Sequence, residues 1–301
     1  MPRLSAIVPA TNAPPTLTAC LDAIRAAADP PEELIVVEDG GGPADARNRG
    51  AARATGDVLV FVDADVLVHA DVFARIRRAF DADASLDAVF GSYDDRPADP
   101  GTVSAFRNLL HHHVHQEGAG AATTFWAGLG AVRRDVFEAT GGFDAERYPV
   151  PSVEDIDLGV RLAAAGSRME LDPAVQGTHL KAWTLRTMVE GDLRHRGVPW
   201  VELLLRQGAR SSALNLGWRH RVSAVASLVA LLSLLRGRMR TVLVALGVLV
   251  ALNRSFYGLL ARRRGPVEAV AGIGLHVLHH VVGALSVPIA LVGYMRRGCD
   301  G

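Results

Sequence analysis

The stretch Asp57-Val-Leu-Val-Phe-Val-Asp-Ala-Asp65 constrains this chain more than any other, because an apolar run of strand length ends in two carboxylates one residue apart. Val58 to Val62 is β-branched or apolar on both faces, the pattern of a strand buried on both sides of a parallel sheet. Asp63 and Asp65 then fall on the carboxyl edge, where open α/β sheets bind ligands. Two close carboxylates offer oxygens to a hard divalent cation, Mn²⁺ or Mg²⁺, of the kind that bridges to phosphates. The Asp-x-Asp triplet alone says little, since it recurs at Asp81/Asp83 and Asp155/Asp157. Placement after an apolar strand gives the first one its meaning, whereas Asp81/Asp83 follows a helical pattern and reads as a solvated helix end.

The preceding residues repeat the design. Leu4 to Val8 reads as a first strand closed by Pro9, with Thr11 and Asn12 in the next loop and a helix over 17–28. Leu34 to Val37 is a second strand, ending in Glu38, Asp39 and three glycines. A helix over 44–54 presents Arg47, Asn48 and Arg53, and Gly56 ends it. Such alternation favours a parallel sheet with right-handed crossovers. Further on, the pattern predicts a helix over 71–80, a strand over 88–93 and a helix over 102–116. His111 and His115 share a face of that last helix and offer either a metal pair or an acceptor-side or structural surface. Trp126 suits stacking on a sugar or filling the core. Ser152 is placed to cap a helix whose first turn carries Glu154 and Asp155. A strand over 168–171 precedes His179.

Composition divides the chain. Residues 1–179 carry 15 Lys and Arg against 27 Asp and Glu, whereas residues 180–301 carry 17 against 5. The basic part also holds three apolar runs, 222–235, 241–252 and 266–294, the last long enough for a bilayer core that needs about twenty residues. Around residues 186–220, Trp200 and Trp218 accompany Arg194, Arg196, Arg206, Arg210, Arg219 and Arg221, which suits helices at the level of anionic lipid headgroups. Arg236, Arg238 and Arg240 separate the first two runs, which therefore form either a spanning hairpin or a re-entrant pair. His276, His279 and His280 share a sector of the last run and read as helix contacts. No nucleic-acid-reading motif is present, and Cys20 and Cys299 form no metal-binding spacing. The N-terminal apolar run is too brief for a signal peptide, so the acidic part is expected in the cytoplasm. The alanine and arginine bias points to a GC-rich bacterial genome.

Four motifs together carry a resemblance: Ile7-Val-Pro-Ala-Thr-Asn12; Val36-Val-Glu-Asp-Gly40; Ala46-Arg-Asn-Arg-Gly50 running through Ala54-Thr-Gly-Asp57 into Phe61-Val-Asp-Ala-Asp65; and Gly141-Gly-Phe-Asp144 followed by Glu154-Asp155. In this order the chain resembles the family 2 glycosyltransferases, inverting nucleotide-sugar enzymes of the GT-A fold, over residues 4 to about 180. The resemblance implies an α/β fold, a GT-A domain with a Rossmann-like, mostly parallel sheet over 1–180. An interfacial amphipathic segment over 181–220 and transmembrane helices over 221–301 follow it. It implies that Pro9, Thr11, Asp39, Arg47 and Asp63 bind the nucleotide sugar, with Asp39 accepting from the base. Asp63 and Asp65 would hold Mn²⁺ or Mg²⁺ and the diphosphate, with His179 as third ligand. Asp155 would be the general base and Glu154 its neighbour and possible substitute; Trp126 and His115, read from residue type and placement, are the candidate acceptor side.

The expected activity is transfer of a single sugar from a nucleotide-sugar donor to a lipid-linked or membrane-embedded acceptor at a bacterial inner (cytoplasmic) membrane. Processive polysaccharide synthases of the family carry a Q-x-x-R-W motif, of which Arg194-His-Arg-Gly-Val-Pro-Trp200 is only a loose echo. Two alternatives stand beside this reading: transfer to a polyprenyl phosphate, whose acceptor oxygen needs no strong base, and an inactive membrane scaffold that keeps the fold. The full set of acids argues against the scaffold.

Overall fold

The computed structural model describes residues 1–11, 13–206 and 217–299; Asn12 and Arg210 lie outside the described residues. The chain divides into two units, residues 1–98 with 114–181, and residues 99–113 with 182–301.

In the first unit, β1 (Leu4–Pro9), β2 (Glu33–Val37) and β3 (Val58–Val62) are joined by α1 (Leu17–Arg25) and α2 (Pro43–Ala51). β1 lies between the other two and is parallel to both. Every residue of β1 and β3 is buried, as their two-faced apolar sequences require. There follow β4 (Val66–Val68), α3 (Val72–Ala82), β5 (Ala88–Tyr93), α4 (Thr102–Glu117), β6 (Gly120–Ala122), β7 (Leu129–Arg133), α5 (Arg134–Ala139), α6 (Glu154–Ala164) and β8 (Met169–His179). The eight strands form one sheet in the order β2-β1-β3-β7-β5-β8-β4, with β6 beside β8. β1, β2, β3, β5 and β8 run in one direction, and β7 is inserted antiparallel between β3 and β5. Pro9, Val37, Val62, Tyr93 and His179 therefore end their strands on a common edge.

Several elements differ from the sequence expectation. Three strands go unread in the sequence: β4, β6 and β7. β4 and β6 are too short to show a period. β7 hides behind Gly128 and Gly130, which look like turn residues; a Cβ on Gly130 would lie 2.6 Å from the Phe125 ring, so the glycine makes room for that core side chain. β8 extends from Met169 to His179 because its middle accommodates Pro173 at a register shift against β5 between Phe90 and Ser92. His179 is the last residue of that strand, paired with Val66. Ser152 does not cap α6: Val153 is the N-cap residue and provides no side-chain bond, and the Ser152 amide instead donates to Glu154 Oε2 at 2.8 Å. Asp83 ends α3 and accepts from the Ser85 amide at 2.9 Å, the solvated helix end expected of that triplet.

The second unit is helical: residues 99–113, which include the first part of α4, with α7 (Leu185–Glu190), a π-helix (Gly191–Gly197), α8 (Val198–Arg206), α9 (Trp218–Leu235), α10 (Met239–Leu252), α11 (Arg254–Arg264) and α12 (Pro266–Cys299). The three apolar runs fall on α9, α10 and α12. Among the described residues, one helix, Pro266–Arg296, is long and apolar enough to cross a membrane, with mean hydropathy 1.8. Near its middle His279 Nδ1 lies 2.7 Å from Asp192, a buried carboxylate that also accepts from Arg107 at 2.8 Å.

Candidate active site

The common strand edge gathers the acids. Asp63 and Asp65 follow β3, and the thiol of Cys20, on α1, donates to the Asp63 carbonyl at 3.5 Å. Burial, with the charges of Asp63 and Asp65, pushes that thiol up to about 12. It is an inert strut beneath the tip of β3.

Arg47 is the pivot of the site. Its buried guanidinium donates from one nitrogen to Asp63 Oδ1 at 2.7 Å and from the other to Glu154 Oε1 at 2.9 Å. It thereby joins the tip of β3 to the first turn of α6. Burial opposes its charge, but Asp63, Glu154 and Asp155 outweigh burial and hold the guanidinium above its ordinary value. The face of Phe143 lies 5.4 Å away. The next residue, Asn48, accepts from the Phe143 amide at 2.9 Å and donates to its carbonyl at 2.8 Å. Gly142, at φ +67°, allows this closeness: a Cβ there would meet Asn48 Oδ1 at 2.7 Å. Arg161 donates to the Thr140 and Gly142 carbonyls and is fixed by Asp157 at 2.8 Å. The Arg-Asn and Gly-Gly-Phe-Asp motifs are thus two halves of one clamp, and Asp157 belongs to that scaffold.

Asp155 lies in the first turn of α6, where its carboxylate accepts from the Ile156 amide at 2.8 Å and the Ala127 amide at 3.2 Å. Burial first, then the neighbouring Glu154, push its carboxyl up to about 7 against the opposing pull of Arg47 and the two amides. A carboxyl poised there suits a proton acceptor at neutral pH. Trp126 is half-buried and crosses Tyr93 edge to face at 4.8 Å. His115 stands behind it, buried, with its ring 5.3 Å from Trp126 and Nδ1 donating to the Gly91 carbonyl at 2.8 Å.

The position of α6 depends on Gly159, where a Cβ would sit 2.1 Å from the Phe125 amide nitrogen and 2.4 Å from the Thr124 carbonyl carbon. Both are backbone atoms and cannot yield cheaply. Gly159→Ala is therefore expected to destabilise the first unit by about 1–3 kcal/mol and to lower turnover, because it levers Asp155 away from Ala127. A reduced melting temperature together with a reduced kcat checks this.

Asp65 and His179 face each other, 3.4 Å between Oδ2 and Nε2. Burial works against charge on Asp65, yet the hydrogen bond and charge of His179, and the charge of Lys181, outweigh it and hold the carboxyl below its ordinary value. For Asp63 the balance is opposite: burial, with Asp65 and Glu154, outweighs Arg47 and raises it. Tyr93 stacks on His179 at 4.1 Å and 10°, so a ladder of rings runs from His179 through Tyr93 to Trp126 and His115. Two carboxylates and an imidazole are donor types for Mn²⁺ or Mg²⁺. Asp65 and His179 fit as a pair of ligands, and Asp63, whose Oδ1 accepts from Arg47, is a further carboxylate at this edge. Among the described residues no three potential ligands already stand as a metal cluster. Of the other expected site residues, Pro9 ends β1, Thr11 follows it, and Asp39 is exposed beyond β2, where its carbonyl accepts from Arg49 at 2.7 Å. Sequence reasoning missed Tyr93 and Asp94 and met Asn48 only as a helix residue within a motif. Asp94, at the tip of β5, carries the same strand-end signal as Asp63, and its buried carboxylate accepts from Thr178 at 2.5 Å.

Residues 40–141 match the family model described as Glycosyl transferase family 2. That segment carries Arg47, Asn48, Asp63 and Asp65, the resemblance read from the sequence. The chain is also similar in structure to the mannosyltransferase PcManGT from Pyrobaculum calidifontis, solved in complex with GDP-Man and Mn²⁺. The two are 18% identical over 95% of this chain and 87% of that one, with a TM-score of 0.54. S. aureus TarS, residues 1–349, is 15% identical over 94% of this chain and 90% of that one, with a TM-score of 0.48. A search of the curated proteins found no match. The fold is the GT-A fold, and the family match supports a glycosyltransferase.

Proposed function

We propose that this chain moves a single sugar, with inversion, from a nucleotide-sugar donor to a lipid-linked or membrane-embedded acceptor at a bacterial inner membrane, with its acidic unit in the cytoplasm. The observation that carries the reading is the Arg47 bridge. It brings Asp63, the donor-side carboxylate, and Glu154, beside the base, to one guanidinium from positions 91 residues apart in sequence.

In this reading Asp39, with Pro9 and Thr11, receives the nucleotide, and Asp65, His179 and Asp63 would hold a divalent cation, Mn²⁺ as in the PcManGT complex or Mg²⁺. Such an ion offsets the charge that develops on the leaving diphosphate. Asp155 takes the proton from the incoming hydroxyl at the oxygen that bonds to the anomeric carbon, while the sugar–phosphate bond breaks on the opposite face. Glu154 stays on Arg47 and keeps that cation close to both carboxylate stations. Trp126 supplies an apolar face for the acceptor, and His115 fixes its ring from behind. A helix long and apolar enough by itself to cross a membrane supports the choice of a lipid-linked acceptor, and the basic C-terminal half that of anionic membrane lipids as partners.

The test is donor binding to the detergent-solubilised full chain. One nucleotide sugar with Mn²⁺ is expected to raise the melting temperature, because a ligand of the native state alone stabilises it, and then to release nucleoside diphosphate on adding a membrane extract. No shift with any nucleotide sugar would overturn the reading and restore the scaffold alternative.

A further inference from the structure

Helices α9 and α10 have the wrong faces outward for a protein in water. On α9 the buried side is Ser223, Ala226, Ser227, Ala230 and Ser233, while Val222, Val225, Val229, Leu232 and Leu235 are exposed. On α10 Val242, Ala245 and Leu249 are buried, so there the inward face is not confined to small residues, while Leu243 and Val244 are 66% and 68% exposed. Small residues that let helices approach, with large apolar residues outward, are the packing of helices in lipid. In water the same faces would form a contiguous apolar surface that soluble proteins avoid.

The ends of the hairpin fix how lipid would surround it. Arg219 donates to the Leu252 carbonyl at 2.7 Å, and Asn253 Nδ2 donates to Ser223 Oγ at 2.9 Å, so the start of α9 and the end of α10 are pinned at one level. There the chain bends by 80° into α11, which buries Phe256, Tyr257 and Leu260 and carries exposed Arg254 and Arg262 at its two ends. A helix turned across its predecessor, basic at both ends, suits the plane of a headgroup layer. The far end of the hairpin is Arg236-Gly237-Arg238-Met239-Arg240, exposed throughout, and none of its arginines pairs with a carboxylate among the described residues. Arginines at mid-bilayer are costly, so a hairpin that stopped halfway would leave its tip in the least favourable layer. The apolar run of α9, residues 222–235, extends about 21 Å against a hydrocarbon core of about 30 Å. Arginine stems snorkel over the remainder, and the shorter α10 is accommodated by local thinning.

We propose that α9 and α10 cross the bilayer as a hairpin, their outward faces covered by acyl chains. In this arrangement α11 lies in one headgroup layer and Arg236, Arg238 and Arg240 meet anionic headgroups in the other. The inference does not depend on sugar transfer, which is tested by donor binding.

Single cysteines in the full chain, in a Cys20→Ser, Cys299→Ser background, decide it: Arg238→Cys at the tip and Arg262→Cys on α11, with Met239→Cys and Arg254→Cys as second positions should either fail to fold. Each is treated with a membrane-impermeant maleimide in right-side-out and in inverted membrane vesicles. The expected result is all-or-none and opposite, the tip reacting in one preparation and α11 only in the other. Reaction of both positions from the same face, or release of the chain by an alkaline carbonate wash, would overturn the proposal.

Discussion

Asp155→Asn is expected to lower kcat by roughly 10²–10⁴-fold, the usual contribution of a positioned general base, while leaving the dissociation constant of the nucleotide sugar near that of the unaltered protein. The split follows from placement. Asp155 sits on α6 against the Ala127 amide, which the proposed mechanism makes the acceptor side, and that mechanism gives the donor to the tips of β1, β2 and β3. Its proton affinity adds a second signature. With the carboxyl pushed up to about 7 by burial and Glu154, the base is lost to protonation as pH falls. The rate should therefore decline below about pH 7, and Asp155→Asn should remove that limb from the profile of kcat/KM. A rate that survives the substitution with the limb intact would move the chemistry to an acceptor that needs no base, such as a lipid phosphate.

The strand tips were the most legible part of the chain. β3 with Asp63 and Asp65, and β2 with Asp39, are readable because few local structures besides a buried strand tip place an acid directly after a run that is apolar on both faces. Neighbouring strands in the sheet were less so. β7 is broken by Gly130, which exists to admit Phe125, and β8 contains Pro173; each reads as a turn until its partner strand is known. The site followed the same division. Residue types announced the two carboxylate stations, yet nothing local in Arg47 shows that its two nitrogens reach Asp63 and Glu154, because the second contact spans 107 residues. Asn48 was visible only as a member of a motif, and its two-point hold on Phe143 belongs to tertiary structure. Asp94 could have been found by the strand-tip argument applied to β5. The helices α9 and α10 showed their apolarity in sequence, but which face was outward required their packing.

Arg47→Ala should produce the other large effect, and on stability before activity. It leaves Glu154 buried without its cation and Asp63, 32% exposed, partly so; breaking a buried pair at one partner costs about 3–5 kcal/mol, and the exposure of Asp63 argues for the lower end. A melting temperature of the first unit unchanged from the parent would refute the bridge as a structural tie. Arg47→Lys separates structure from chemistry: an ammonium retains the charge but lacks the planar fork that serves two carboxylates at once, so it should restore part of the stability. Two further readouts follow from the geometry. Because Arg47 pulls the Asp155 carboxyl down, a variant that retains less of this field should move the acid limb of the rate profile to higher pH. Because Arg47 competes for the Asp63 carboxylate through Oδ1, the same variant should bind Mn²⁺ more tightly by calorimetry even as it turns over more slowly. A purely structural arginine would change the melting temperature and neither of these.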